Sequence, residues 1–166
     1  MNPFFRLGIV SAALILGQQA LAQDPVVTSS LTANRVELVN GKTVLHPATE
    51  AKPGDVLEYR ATYTNRGDGA VEHLQATVPI PSGTTLIADT PMPASAQAST
   101  DARTFAALPL MRRVAKSDGS SRLEPVPLAD YRALRWDVGS LNPGKATMVS
   151  MHVRINPVAV SLADKP

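Results

Sequence analysis

The sequence predicts an all-β fold, an antiparallel β-sandwich, from three observations. Apolar residues recur at every second position in several stretches, and turn-forming Gly, Pro and Asn residues separate these stretches. No stretch beyond the N-terminal segment has helical periodicity. Because period two requires a sheet with one buried and one solvated face, and short strands joined by Gly and Pro turns are typical of sandwiches, we expect two packed sheets rather than a closed barrel.

Residues 1–22 have the pattern of a cleavable signal helix. Arg6 supplies positive charge, an apolar run follows from Leu7 to Gly17, and Ala20-Leu21-Ala22 is a small-x-small cleavage site. The run is shorter than the roughly 20 apolar residues that span a bilayer. We therefore expect an exported protein, periplasmic or extracellular, with no stable membrane span after cleavage.

The composition of the mature chain suits one domain and excludes several classes of site. Removal of residues 1–22 from the 166-residue chain leaves 144 residues, enough for a single buried core. Cysteine is absent, which excludes disulfides, thiolate metal sites and cysteine nucleophiles. Of the 16 basic residues only Arg6 lies in the signal, so 15 face 14 acidic residues. This balance argues against a nucleic-acid partner.

The mature chain is expected to begin with a flexible lead-in at residues 23–30, followed by a hairpin. Residues 31–39 and 43–45 have strand character, and Asn40-Gly41 between them is a strong two-residue turn signal. The sandwich is predicted over residues 31–156, and residues 157–166 are expected to be a loose tail.

Four strands with clear alternation are predicted to carry the core. Pro79 lacks an amide hydrogen and must lie at a strand end or a sheet edge. Trp136 is the only tryptophan, and its phase predicts that it fills the space between the sheets. The residues predicted to point inward are Leu57, Tyr59, Ala61 and Tyr63; Leu74, Ala76, Val78 and Ile80; Leu134, Trp136 and Val138; and Val149, Met151, Val153 and Ile155.

Residues 88–128 form a proline-rich insertion in which the alternation blurs, with short strands expected near residues 103–108 and 110–115. Loops on a rigid scaffold carry function more often than strands do, so this insertion is the preferred functional surface. We interpret its basic residues as part of a solvated loop. These residues are Arg112, Arg113, Lys116 and Arg122.

Motifs at both ends of the sandwich resemble a bacterial surface repeat family, the domain of unknown function eleven. The matching motifs are Pro53-Gly54-Asp55 with Tyr59, Thr62-Tyr63-Thr64-Asn65-x-Gly67, Ile80-Pro81-x-Gly83-Thr84 and Trp136-x-x-Gly139-x-Leu141-x-Pro143-Gly144. The resemblance implies an immunoglobulin-like β-sandwich in an exported envelope protein. Val78 stands where the family commonly has an acidic residue, and the insertion is longer than usual.

The sequence predicts no catalytic, cofactor-binding or metal-binding residues. His46, His73 and His152 lie in separate segments without metal-ligand spacing. No nucleophile elbow or phosphate-binding loop is present, so we expect no enzyme and no cofactor. Arg66-Gly67-Asp68 is a tripeptide that some animal receptors read, but its residues are also ordinary turn formers at a hairpin tip.

These observations favour a non-enzymatic, exported immunoglobulin-like module of the bacterial cell envelope. Its role would be structural or adhesive through protein–protein contacts, made by an exposed edge strand or by the insertion. The alternative is a periplasmic domain that binds a carbohydrate or another small ligand, which predicts a cluster of exposed aromatic side chains. A fimbrial-chaperone-like role and an enzyme with a site grafted onto the fold remain open.

Overall fold

The computed structural model describes residues 26–157, which form an all-β structure with no α-helix among them. Two single 3₁₀ turns, Ala48–Glu50 and Leu128–Asp130, lie between strands. The predicted signal at residues 1–22 and most of the predicted tail lie outside the described residues. The strands are β1 Val27–Val39, β2 Lys42–Pro47, β3 Val56–Asn65, β4 Val71–Pro79, β5 Thr84–Leu86, β6 Gln97–Ser99, β7 Ala106–Ala107, β8 Met111–Ala115, β9 Ser121–Pro125, β10 Ala133–Leu141 and β11 Ala146–Ile155.

Two antiparallel sheets pack against each other, as the alternating pattern predicts. The first sheet has the order β2-β1-β3-β11-β5, and the second has the order β4-β10-β6-β7. Strands β8 and β9 pair only with each other in a two-stranded hairpin. The connections from β3 to β4 and from β10 to β11 pass between the sheets, so the strands with the clearest alternation enclose the core.

The core contains the residues that the alternation predicts to point inward, except Leu74, which is half-buried outside the core next to the irregular pairing of β4 with β10 at Gly139. Trp136 is only 1% exposed, and its Nε1 donates a hydrogen bond of 2.7 Å to the Pro93 carbonyl oxygen. Pro79 ends β4, which is an edge strand, as its missing amide hydrogen requires. The largest fully buried hydrophobic side chains are Trp136, Tyr131, Leu134, Met151, Val78, Val149 and Val153.

The first hairpin is confirmed, but its first strand is longer than predicted. Asn40 and Gly41 both have positive φ, 51° and 76°, as the turn between β1 and β2 requires. Strand β1 begins at Val27, so the expected flexible lead-in is wrong for residues 27–30. These residues pair with β3 from Asn65 to Thr62, and pairing with a central strand overrides their weak apolar pattern.

Asn65 ends β3 and joins the two sheets at one end of the sandwich. Its side-chain nitrogen donates to the carbonyl oxygens of Gly69 and Leu141, both at 2.8 Å. Its side-chain oxygen accepts from the Gly67 backbone nitrogen at 2.9 Å. Because Asn65 is fully buried, this amide satisfies backbone groups that would otherwise lose water without a partner.

The insertion is more ordered than a proline-rich loop. Residues 97–99 form β6, which pairs with β10, and the expected strand near residues 103–108 is reduced to β7. The strand expected near residues 110–115 is confirmed as β8. The interpretation of the basic residues as part of a loop is wrong for Arg112, Arg113 and Arg122, because β8 and β9 pair over five residues each and only the segment between them turns. The four basic side chains nevertheless remain exposed, as expected of a solvated surface.

Candidate functional site

A groove of about 380 Å³ opens where the insertion meets the edge of the first sheet. Its lining is apolar apart from one carboxylate. One part comes from the last residue of β5 and the segment after it, and the rest comes from the chain before β8 and from the second 3₁₀ turn. The lining residues of the first part are Leu86, Ala88, Asp89, Pro91 and Ala94; those of the second are Leu108, Pro109 and Leu128.

Hydrogen bonds to β11 hold the first wall of this groove. The Ile87 backbone nitrogen donates to the His152 carbonyl oxygen at 2.9 Å, and Met92 exchanges two backbone hydrogen bonds of 2.8 Å with Ser150. Between them, the Thr90 hydroxyl accepts a hydrogen bond from the His152 backbone nitrogen at 3.0 Å. The segment therefore continues the first sheet beyond β5 and is fixed in position.

Tyr131 fixes the other wall. Its side chain is fully buried, and its hydroxyl accepts a hydrogen bond of 2.8 Å from the Leu110 backbone nitrogen, next to Pro109. The Tyr131 backbone nitrogen donates to the Leu128 carbonyl oxygen at 3.3 Å. One buried tyrosine thus places both the chain entering β8 and the 3₁₀ turn at the groove.

Asp89 is the only charged residue of the lining. It adopts a left-handed backbone conformation with φ of 58°, which aspartate tolerates better than most residues. Its side chain makes no salt bridge or hydrogen bond to any residue within 26–157. The groove therefore combines an aliphatic lining with one exposed carboxylate that lacks a protein partner among these residues.

The β8–β9 hairpin presents a second exposed surface of the insertion. Met111, Arg113 and Leu123 lie on one face, because Arg113 and Leu123 are directly opposite in the pairing and Met111 is two residues away from Arg113. Met111 is 49% exposed and Leu123 is 62% exposed. The base of the hairpin is held by a hydrogen bond of 2.8 Å from the Val126 backbone nitrogen to the Leu110 carbonyl oxygen.

Charges on the hairpin are predominantly basic. Arg122 forms an ion pair with Glu124, and the Arg113 guanidinium donates to the Ser121 hydroxyl at 3.0 Å. Asp118 accepts hydrogen bonds from the Ser120 hydroxyl and backbone nitrogen, and the hydroxyl, as the larger effect, holds the pKa of this carboxyl below its ordinary value. Both acidic groups therefore have partners within the hairpin.

The aromatic side chains between residues 26 and 157 do not form an exposed platform. Tyr131 and Trp136 are buried, and Tyr59 and Tyr63 are half-buried against the core. Phe105 is half-buried, and the Arg135 guanidinium lies over its ring at 3.7 Å from the centroid. The exposed aromatic cluster that a carbohydrate site would need is thus not seen in this part of the chain.

The three histidines occupy separate environments. His46 Nε2 lies 3.2 Å from a carboxylate oxygen of Glu37, and His152 Nε2 lies 3.6 Å from one of Glu58. His73 has a positive φ of 55° within β4. No group of three or more His, Cys, Asp or Glu side chains suited to a metal ion occurs among the described residues.

The Arg66-Gly67-Asp68 tripeptide has a structural role at the tip between β3 and β4. The Arg66 backbone nitrogen donates to the Val26 carbonyl oxygen at 2.8 Å, and its guanidinium Nε donates to the Thr28 hydroxyl at 3.1 Å. A β-carbon on Gly67 would meet a Val26 methyl group at 2.7 Å, so the close approach of the residue before β1 favours glycine here. These contacts account for Arg66 and Gly67 without a receptor.

Comparisons with protein-family models, with curated proteins and with solved structures give no significant match to this chain. No helix within residues 26–157 has the length and apolar character needed to cross a bilayer.

Proposed function

We propose that the protein is an exported, non-enzymatic immunoglobulin-like module of the bacterial cell envelope that works through protein–protein contacts. The family resemblance and the signal pattern of residues 1–22 support the compartment and the class. The packed antiparallel sheets are compatible with an immunoglobulin-like sandwich. Its role is structural or adhesive, and its docking surface is the insertion at residues 88–128.

The observation that carries this proposal is the exposed face of the β8–β9 hairpin, which presents Met111 and Leu123 beside Arg113. Met111 and Leu123 remain exposed on a two-stranded sheet that hydrogen-bonds to no third strand within the described chain. Such a ribbon is marginally stable in water by itself, and an exposed apolar face on it is typical of a contact surface. The adjoining groove extends this surface toward β11.

Edge strands provide the second route to a protein contact. Strand β2 lies at the outer edge of the first sheet, and the edge can accept an added strand. The edge of β4 is less suitable, because Pro79 lacks a donor and Tyr63 occupies the backbone groups of Thr77. Of the two long edge strands, β2 is therefore the one suited to docking by strand addition.

A pull-down from cell-envelope fractions tests the protein-binding role. The bait is compared with a variant carrying Met111→Ser and Leu123→Ser, and with a matched control carrying Met148→Ser and Leu38→Ser, whose side chains are 49% and 72% exposed. We expect a captured protein that the hairpin variant loses and the control retains. A glycan array that binds the protein, together with a pull-down that recovers no protein, would contradict the proposal.

A periplasmic domain that binds a small ligand is the second candidate. The groove favours it, because about 380 Å³ lies within the range of small-molecule sites. The absence of exposed aromatic side chains between residues 26 and 157 weighs against a carbohydrate. Mass spectrometry of the native protein purified from its own compartment tests this candidate, since a bound ligand of defined mass would support it.

A further inference from the structure

We propose that the groove beside β11 binds a basic side chain, lysine or arginine, presented by the partner protein. The inference rests on the proposed function and names the chemistry by which that partner is recognised. It depends on the combination of an aliphatic lining with a single carboxylate, and not on either feature alone.

The aliphatic part of the groove suits the stem of a basic side chain. Leu86, Pro91, Leu108 and Leu128 contribute apolar walls, and lysine and arginine bury their methylene stems along such surfaces while the charged end stays near water. A purely apolar ligand would use the same walls, so the walls alone do not select a cation. Selection requires the charged residue at the groove.

Asp89 supplies that selection. It lies in the lining, is exposed, and has no cationic partner among residues 26–157. The other ion pairs of the described chain lie on other segments, so no intramolecular cation competes for this carboxylate. An anionic ligand would be repelled, and an apolar one would gain nothing from Asp89, whereas a cation gains a charge-assisted contact. The hydrogen bonds of Ile87 and Met92 to β11 fix the backbone on either side of Asp89.

The test compares two probes that differ only at the end of the side chain. Nα-acetyl-lysine N-methylamide carries an ammonium group, and Nα-acetyl-norleucine N-methylamide has the same carbon stem without this group. Each is titrated into the purified protein, and the backbone amide NMR signals of the non-proline residues among 86–94, 108–110 and 128 are followed. We expect the lysine probe to bind roughly two- to fivefold more tightly than the norleucine probe, the range that an exposed ion pair contributes.

Asp89→Asn is the informative variant. Asparagine tolerates the left-handed conformation at φ of 58°, so the variant removes the charge without straining the backbone. The lysine preference should disappear in Asp89→Asn and persist in the control Asp130→Asn, which removes an exposed charge in the second 3₁₀ turn. Three results would overturn the inference. These are equally tight binding of both probes to the unmodified protein, shifts of NMR signals only away from the groove, and loss of the lysine preference to the same extent in both variants.

The outcome can be separated from that of the proposed function. An envelope partner captured by the pull-down, combined with no lysine preference in the groove, would contradict this inference and leave the proposed function standing. A lysine preference that depends on Asp89, combined with no captured partner, would support the site and contradict the proposed function.

Discussion

The Tyr63 hydroxyl lies 3.2 Å from both the backbone nitrogen and the backbone oxygen of Thr77. It accepts from the first and donates to the second, and so connects β3 in one sheet with β4 in the other. Because Thr77 makes these bonds away from β10, the hydroxyl also occupies the open edge of β4. One side chain therefore holds the sheets together and blocks strand addition at that edge.

Tyr63→Phe should lower the free energy of unfolding by about 0.5–1.5 kcal/mol, the net worth of a lost hydrogen bond. Chemical denaturation measures the change. Tyr59→Phe is the matched control, since Tyr59 is also half-buried on β3 and its hydroxyl has no hydrogen-bond partner among the described residues. If the two variants lose the same stability, the Thr77 contact contributes nothing.

Trp136→Ala should lower the free energy of unfolding by roughly 3–5 kcal/mol, because it empties the largest side chain from the core and removes the donor to Pro93. Thermal or chemical unfolding measures this loss. Phe105→Ala, at a half-buried ring, should cost clearly less. A melting curve that hardly moves for Trp136→Ala would mean that the core is not packed around this residue.

Asn65→Ala should cost roughly 2–4 kcal/mol, because the backbone groups of Gly67, Gly69 and Leu141 lose a partner at a buried position. Asn34→Ala serves as the control, since Asn34 is half-buried on β1 and its side chain makes no hydrogen bond to the described residues. Chemical denaturation of both variants measures the two losses in the free energy of unfolding. Equal small losses would show that water replaces the Asn65 contacts.

Asp101, in the loop after β6, makes the folding stability of the protein depend on pH. Hydrogen bonds from the Thr104 backbone nitrogen, then the Ser99 hydroxyl and the Arg103 backbone nitrogen, hold the pKa of Asp101 well below its ordinary value of 3.8. Below about pH 4 the unfolded chain therefore takes up a proton that the folded protein binds less readily, and stability falls as the pH falls.

Asp101→Asn should remove part of this acid dependence. Its melting temperature should be lower than that of the unmodified protein near neutral pH, and the gap should narrow as the pH falls from about 4 toward 2. Asp68→Asn is the control, because Asp68 is exposed and accepts no hydrogen bond from the described residues. A gap that stays constant across this pH range would show that Asp101 does not contribute through its charge.

The strands with two distinct faces could be predicted from the sequence. Burial of Ala76, Val78, Val149 and Met151 follows their period-two pattern. The start of β1 and the short β6 could not be predicted this way, since pairing with β3 and β10 stabilises them rather than their own apolar pattern. The sequence predicts a strand near residues 110–115, where β8 lies, but it does not predict β9, because the side chains of β9 are largely exposed and no alternation marks them.

The groove could be anticipated only as a region. The insertion at residues 88–128 provides seven of its eight lining residues, which agrees with the choice of this segment as the functional surface. The sequence of the insertion does not single out Asp89, because the groove forms only when three stretches that are distant in the chain come together. Tyr131 joins two of these stretches, and nothing in the residues around it in the sequence predicts that role.

Crosslinking in intact cells from a photoreactive amino acid at Leu123 tests the central claim most directly. The same group placed at Thr62, on the outward face of β3, is the control, since this position lies in the sheet away from the hairpin. We expect a crosslinked envelope protein from position 123 and none from position 62. Crosslinks from position 62 alone, or none to protein from either position, would contradict it.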